Sequence, residues 1–315
     1  MSKFDVIEYL MSKHIHNFDS KMDFYKFFGE APKKYKRYEI PKRTSGTRTI
    51  AQPIRELKDY QRALVEIFQG HFPIHDSSMA YVKGKDIKRN AEIHSQNTYF
   101  LKMDFTDFFN SLTPKLLWKA CERAGIEFDW FEKELIEKTI FWKPSKYSNK
   151  LVLSIGAPSS PFISNFIMYS FDDEIARYCQ EKDITYTRYA DDITFSTNIP
   201  NLLFTLPDLV REVLIKLYGN AIKINHLKTV FSSKKHNRHV TGITITNSGD
   251  LSIGRVKKRY IKHLVHQYVE GKISLEDLNY LRGYLGFIKY VEPNFLTTLE
   301  QKYTQTVIQK IRLGS

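Results

Sequence analysis

Thr185-Tyr-Thr-Arg-Tyr-Ala-Asp-Asp-Ile-Thr-Phe-Ser-Thr197 is the stretch that decides the fold. Two runs rich in β-branched and aromatic residues, Thr185–Tyr189 and Ile193–Thr197, flank Ala190-Asp191-Asp192. That is the pattern of two strands joined by a tight turn. Upstream, Tyr99-Phe-Leu-Lys-Met-Asp104 reads as a further strand that also ends in a carboxylate. If these elements are neighbours in one sheet, their ends bring Asp104, Asp191 and Asp192 together.

Asp-Asp in a tight turn is by itself ordinary turn chemistry, because Asp tolerates the geometry and bonds its own backbone. Three carboxylates converging are not ordinary. They repel one another and raise each other's pKa, a penalty that a divalent cation reverses. Magnesium, or manganese in its place, suits such a set because it takes oxygen ligands and shares its shell with substrate phosphates. Two ions about 4 Å apart would stabilise the attacking and leaving oxygens of an in-line phosphoryl displacement. Positioning and charge neutralisation would then supply most of the catalysis.

The charge balance agrees. Lysine and arginine number 48 against 35 acidic residues, a net +13 that attracts a polyanion, most simply nucleic acid. Positive charge is dense in residues 32–62 and again from Lys257 onward. Cys121 and Cys179 show no CxxC spacing, which excludes a zinc ribbon or a disulfide framework. Neither a secretory signal nor a membrane-spanning apolar run is visible. The expectation is a soluble, cytoplasmic protein with no membrane partner.

Periodicity places the other elements. Tyr38–Ile40 and Thr47–Ala51 read as short strands, Arg55–Phe68 as a helix, and Lys83–Arg89 as a basic, helical stretch. Pro114–Ala124 and Phe131–Phe141 are predicted helices, and Ser154–Pro161 a loop. Phe162–Lys182 reads as one long buried helix and Leu209–Tyr218 as another. Val240–Thr246 and Leu251–Ile253 are predicted strands, with helices to the end. No repeat or linker divides the chain.

The order of these blocks, from about residue 38 to 246, resembles the reverse transcriptases, whose signature is the Tyr-Ala-Asp-Asp of residues 189–192. The resemblance implies an α+β fold, a right-hand polymerase with fingers, a ferredoxin-like palm and a small helical thumb. Residues 1–98 would form N-terminal helices and fingers, and 99–246 the palm, with part of the fingers around 130–160. Residues 247–315 would form a basic, mostly helical thumb. By the same similarity Asp104, Asp191, Asp192 and the Phe105 carbonyl hold two magnesium ions. Asp104-Phe-Thr-Asp-Phe-Phe109 looks like the first catalytic block of the palm, placing Asp107 and Phe109 at the nucleotide, with Phe109 under the sugar. Gly156-Ala-Pro-Ser-Ser-Pro161 resembles the loop at template and nucleotide, which assigns Gly156 and Ala157 there. Ser154-Ile155 stands where the family usually has Pro-Gln, a departure expected to alter nucleotide selection. Lys228 matches a lysine near the pyrophosphate, and Lys42, Arg43 and Arg48 match the fingers hairpin that grips the triphosphate.

Two more motifs resemble the bacterial retron subfamily: Asn90-Ala-Glu-Ile-His94 and Val240-Thr-Gly242. They imply RNA binding by Asn90, His94, Val240, Thr241 and Gly242. The cluster Lys257, Lys258, Arg259, Lys262 and His263, interleaved with Tyr260, would contact phosphates and unpaired bases. The resemblance further implies dNTP substrates and a structured noncoding RNA. Synthesis would start from a guanosine 2′-hydroxyl to give a branched RNA–DNA product, msDNA. A separate effector protein in anti-phage defence is expected by analogy. At 315 residues the expected protein is minimal, without an RNase H or endonuclease module. The alternatives are another minimal reverse transcriptase, diversity-generating or CRISPR-associated, and an RNA-binding scaffold for a toxin or nuclease.

Overall fold

The structure, a computed structural model, describes residues 5–13, 15–16, 18–41, 46–147 and 149–313. Helices α1 (Val6–Ser12) and α2 (Lys21–Glu30) precede the hairpin of β1 (Tyr35–Pro41) and β2 (Thr47–Pro53), then α3 (Arg55–Phe68). Next come α4 (Ile87–His94), β3 (Tyr99–Asp104), α5 (Phe108–Ser111), α6 (Pro114–Arg123) and α7 (Trp130–Ile140). Helices α8 (Ser160–Ile167) and α9 (Tyr169–Glu181) lead to β4 (Thr185–Tyr189), β5 (Asp192–Thr197) and α10 (Leu206–Tyr218). The short strands β6 (Val230–Ser233), β7 (Arg238–Val240), β8 (Ile243–Ile245) and β9 (Leu251–Ser252) follow. Helices α11 (Arg255–Val269), α12 (Leu275–Val291), α13 (Pro293–Tyr303) and α14 (Gln305–Leu313) complete the described chain.

The strands form three sheets: β1–β2, a four-stranded sheet in the order β4-β5-β3-β6, and β7-β8-β9. By packing, the chain falls into two units that cut across chain order. One gathers residues 1–83, 102–193 and 204–229; the other gathers 84–101, 194–203 and 230–315.

In the first unit, α3 shows how pattern becomes packing. Leu57, Tyr60, Leu64 and Phe68 recur at helical spacing and are all buried. Gln61, on the same face, donates from Nε2 to Tyr35 Oη at 2.9 Å and to the Thr139 carbonyl at 2.7 Å. Those bonds tie β1 and α7 to α3. Asp129 and Glu132 close a capping box at the start of α7. In the second unit, one core runs from Ala91 and Phe100 through Val240, Ile243 and Ile245 to Leu264, Leu285, Leu299 and Ile311.

Three expectations change. The single helix over 162–182 is two, α8 and α9, meeting at Met168, whose N–H reaches both the Ser164 and Phe166 carbonyls. The basic stretch becomes helical only from Ile87, where the Asp86 side chain caps the Arg89 N–H at 2.9 Å. The strand expected over Val240–Thr246 is a hairpin. Thr241 and Gly242 take φ of +47° and +85°, positive at both central positions as a type I′ turn requires. Both cysteines are buried and unbridged. Among the described residues, no helix is long and apolar enough to cross a membrane.

Gly156 explains the docking of the Ser154–Pro161 segment on β2. The Ala51 N–H donates to the Ile155 carbonyl at 2.9 Å, and Gly156 sits at φ +120°. A Cβ there would lie 3.1 Å from both the Ala51 carbonyl oxygen and Ile50 Cγ2. Gly156→Ala is therefore expected to destabilise the protein by about 1–3 kcal/mol. Urea unfolding checks this, and an unchanged midpoint would remove the steric argument.

Candidate active site

The apolar interiors of β3 and β5, including Leu101, Met103, Ile193 and Phe195, are buried, so carboxylates emerge only at the strand ends. Backbone bonds join those ends. The Phe105 N–H donates to the Asp191 carbonyl at 3.1 Å, and the Asn225 N–H donates to the Asp104 carbonyl at 2.7 Å. Asp104 is buried, and its Oδ2 accepts from Lys228 Nζ at 2.8 Å.

Asp191 and Asp192 are half-buried. Burial pushes the Asp191 carboxyl above the ordinary range, and the Asp104 charge adds to it. Burial, then the Asp191 charge, push Asp192 up to about 6. Lys228 opposes both shifts, aided by Arg48 at Asp191 and Lys102 at Asp192. The three aspartates expected from sequence are thus one coupled electrostatic site. The two-residue loop Ala190-Asp191 has a positive φ, +56°, at Ala190. Such a conformation costs a non-glycine residue about 1–3 kcal/mol and persists only where its surroundings impose it.

The donor set fits magnesium by its chemistry: hard carboxylate oxygens whose mutual repulsion a divalent cation relieves. Among the described residues, however, no three His, Cys, Asp or Glu side chains are gathered into a ready cage. The Asp104 carboxylate is turned to Lys228 instead.

Around this centre, Phe109 is half-buried on α5, its ring 5.4 Å from that of Phe108. Asp107 is exposed in a left-handed conformation, φ +46°, and accepts from Asn110 Nδ2 at 2.8 Å. Arg48 is exposed on β2, Gly156 is exposed on its free side, and Ala157 is buried. Lys42 and Arg43 lie outside the described residues. Sequence reasoning missed Tyr81. It is exposed, at φ +61°, and its hydroxyl pKa is raised by burial of the phenol oxygen and then by the Asp191 charge. No spacing pattern marks it.

Most motif residues of the second unit face inward. Asn90, His94 and Val240 are buried. His94 Nδ1 lies 2.7 Å from Ser196 Oγ, and burial pushes the imidazole down to about 3, so it is neutral. Thr241 Oγ1 donates to the Ile87 carbonyl at 3.2 Å. The two motifs therefore pack in one core and brace α4 against the β7–β8 hairpin. Asn90, His94 and Val240, expected at the RNA, are thus packed inside this unit, and what they present to solvent is set through the elements they brace. Thr241 is half-exposed and Gly242 exposed at the turn.

On α11, Lys257 and Arg259 are exposed, as are Tyr260 and His263. Lys257 Nζ lies 5.6 Å from the rings of both Tyr280 and Tyr284. Lys258 pairs with Glu292, and both Lys258 and Lys262 lie over Phe295, at 5.2 and 5.7 Å. Those two lysines brace their own unit as well as carrying charge.

A family model described as "Reverse transcriptase (RNA-dependent DNA polymerase)" matches residues 40–245. By family the chain is an RNA-directed DNA polymerase. The chain is 50% identical over 279 residues to the Retron Ec83 reverse transcriptase of Escherichia coli, covering 88% of this chain and 89% of that one. It is 33% identical over 288 residues to the Retron Ec73 reverse transcriptase of Escherichia coli, covering 88% and 89%. Against the Retron Ec86 reverse transcriptase of Escherichia coli it is 30% identical over 288 residues, covering 89% and 85%. The chain belongs to the retron reverse transcriptases, and with them has the α+β right-hand polymerase fold and an RNA template as partner.

The raised carboxyls make a stability prediction. A carboxyl with a raised folded-state pKa holds its proton more tightly in the native protein. Its unfavourable contribution therefore grows as pH rises from about 4 to the folded value and persists above it. Without divalent cation, Asp191→Asn/Asp192→Asn should match wild type near pH 4 and exceed it by about 1–3 kcal/mol at pH 7. Magnesium should raise the wild-type Tm and leave the variant's unmoved. Parallel thermal melts at the two pH values check both statements.

Proposed function

We propose that this reverse transcriptase copies part of a structured noncoding RNA into single-stranded DNA. Synthesis starts from the 2′-hydroxyl of one guanosine and leaves a branched RNA–DNA hybrid, msDNA. The observation that carries the reading is the coupled carboxylate site at Asp104, Asp191 and Asp192, in a chain of the retron family. A second, separate effector protein and a role in anti-phage defence, in the cytoplasm, complete the proposal by analogy with relatives.

Asp104, Asp191 and Asp192, with the Phe105 carbonyl, are the proposed holders of two magnesium ions, which manganese can replace. When bound, the ions supply Lewis-acid stabilisation of the attacking and leaving oxygens. The residues themselves do the rest. Lys228, exposed beside Asp104, would serve the pyrophosphate. Arg48 adds charge on the triphosphate side, with Lys42 and Arg43 beside it in sequence. Phe109, on the short helix after Asp107, would stack under the incoming sugar. Gly156 leaves the backbone of its loop open to a dNTP, with Ala157 beneath it. Lys257 and Arg259, with Thr241 and Gly242 at the turn, are the candidates for RNA contact.

The test is to express the chain with its flanking noncoding DNA and isolate small nucleic acids. Branched, RNase-sensitive single-stranded DNA is expected with wild type and absent from Asp191→Asn/Asp192→Asn. Unbranched cDNA would keep the polymerase and discard the priming proposal. RNA bound without any DNA product would move the reading to a scaffold for a toxin or nuclease.

A further inference from the structure

Beneath the catalytic hairpin lies a buried ion pair that the carboxylate site does not itself use. Arg188 on β4 and Asp172 on α9 are both 0% exposed. Arg188 Nη2 donates to Asp172 Oδ2 at 2.6 Å, and Nε reaches Oδ1 and Oδ2 at 2.8 and 3.1 Å. The Tyr186 hydroxyl donates to the same carboxylate at 2.7 Å. The guanidinium then fans outward. Nη1 donates to Asn165 Oδ1 at 3.2 Å and to the Ala190 carbonyl at 3.1 Å, and Nη2 approaches Ser78 Oγ at 3.5 Å.

The backbone repeats these links. The Arg188 N–H donates to the Ser77 carbonyl and the Met79 N–H to the Arg188 carbonyl, each at 2.8 Å. Asn165 Nδ2 donates to the Ala80 carbonyl at 2.9 Å, one residue before Tyr81. A single planar fork therefore joins α9, α8, the Ser77–Ala80 segment and the last carbonyl before Asp191. Buried charge pairs seldom outdo apolar residues of the same volume in stability, so their geometry is the more telling property. Here that geometry points at the strained Ala190.

We propose that Arg188, oriented by Asp172, is a positioning residue for catalysis. It holds Ala190 in its left-handed conformation and so fixes the direction in which the Asp191 and Asp192 carboxylates leave the strand ends. It also locks the segment carrying Tyr81 against the same hairpin. Lysine cannot replace it, because a point ammonium lacks the planar fork that serves Asp172, Asn165 and Ala190 together. The proposal rests on the assignment of Asp191 and Asp192 to catalysis.

The test uses the full chain, with dTTP incorporation on poly(rA)–oligo(dT) and thermal melts with and without magnesium. Asp172→Leu/Arg188→Met replaces the pair by apolar side chains. It should unfold cooperatively near the wild-type Tm and keep its KM for dTTP within about twofold. Its kcat should fall about 10- to 100-fold, because small misplacements of reacting groups are costly. Its magnesium-induced rise in Tm should shrink. Wild-type kcat in the folded double variant overturns the proposal.

If the double variant does not fold, Arg188→Lys decides. Reduced kcat at unchanged KM supports positioning, whereas wild-type kcat, or failure of this variant to fold as well, overturns it. Should wild type itself incorporate no dTTP, the polymerase reading fails separately. The magnesium shift still reports on the hairpin: loss in the double variant supports positioning, and equal shifts overturn it.

Discussion

Repulsion among three carboxylates at adjoining strand ends is the constraint that the neighbourhood is built to withstand. Asp104 is buried and Asp191 and Asp192 are half-buried, so solvent does little to screen them. Lys228 neutralises one carboxylate directly, while Arg48 and Lys102 act on the others through space. These cations do not fix direction. Direction comes from the Phe105–Asp191 backbone bond and from the Arg188 fork under Ala190. The division of labour is physical. Cations around the site offset charge, and buried, multiply bonded groups set geometry.

The Lys228–Asp104 pair is lopsided in its exposure. The Lys228 side chain is 57% exposed while that of Asp104 is 8% exposed, so the lysine can leave for water and the carboxylate cannot. An ion pair with one partner in water contributes little, about 0–1 kcal/mol. A divalent ion offers the carboxylate more charge. Among the described residues, Asp104 is thus partnered by a lysine and is not gathered with two further acidic, histidine or cysteine side chains.

What the sequence disclosed was what is local. Arg55–Phe68 was legible to the residue, because its apolar positions recur on one face, and the β4–β5 hairpin was legible from two β-rich runs about a turn. The Met168 break was not, since no glycine or proline marks it. Nor was the turn at Thr241-Gly242, where a β-branched residue takes a positive φ that propensity disfavours. Among site residues, the three aspartates announced themselves by position at strand ends. Arg188 did not, although it stands within the decisive stretch, because its partner Asp172 is on another element and nothing in a strand pattern signals a buried cation. The burial of His94 was hidden for the same reason. A histidine within a short motif suggests a ligand, yet its neighbours in the fold leave it neutral against Ser196.

The net charge of +13 needs the same distinction between field and contact. Lys258 is held by Glu292, Lys216 by Glu174 and Lys138 by Glu134, so counting cations overstates the number available to a template. The more exposed of these, such as Lys216–Glu174, contribute little stability, and such charges are screened beyond about 10 Å. What survives pairing is a diffuse positive field. A diffuse field grips a phosphate backbone without reading it, which suits an enzyme whose template must advance past a fixed site. Choosing one RNA among many then requires shape. The inward-facing motif residues hold two surface features in place, the type I′ turn at Thr241-Gly242 and α4. Asn90, His94 and Val240, buried beneath the turn and the helix, give that surface an underside that does not yield.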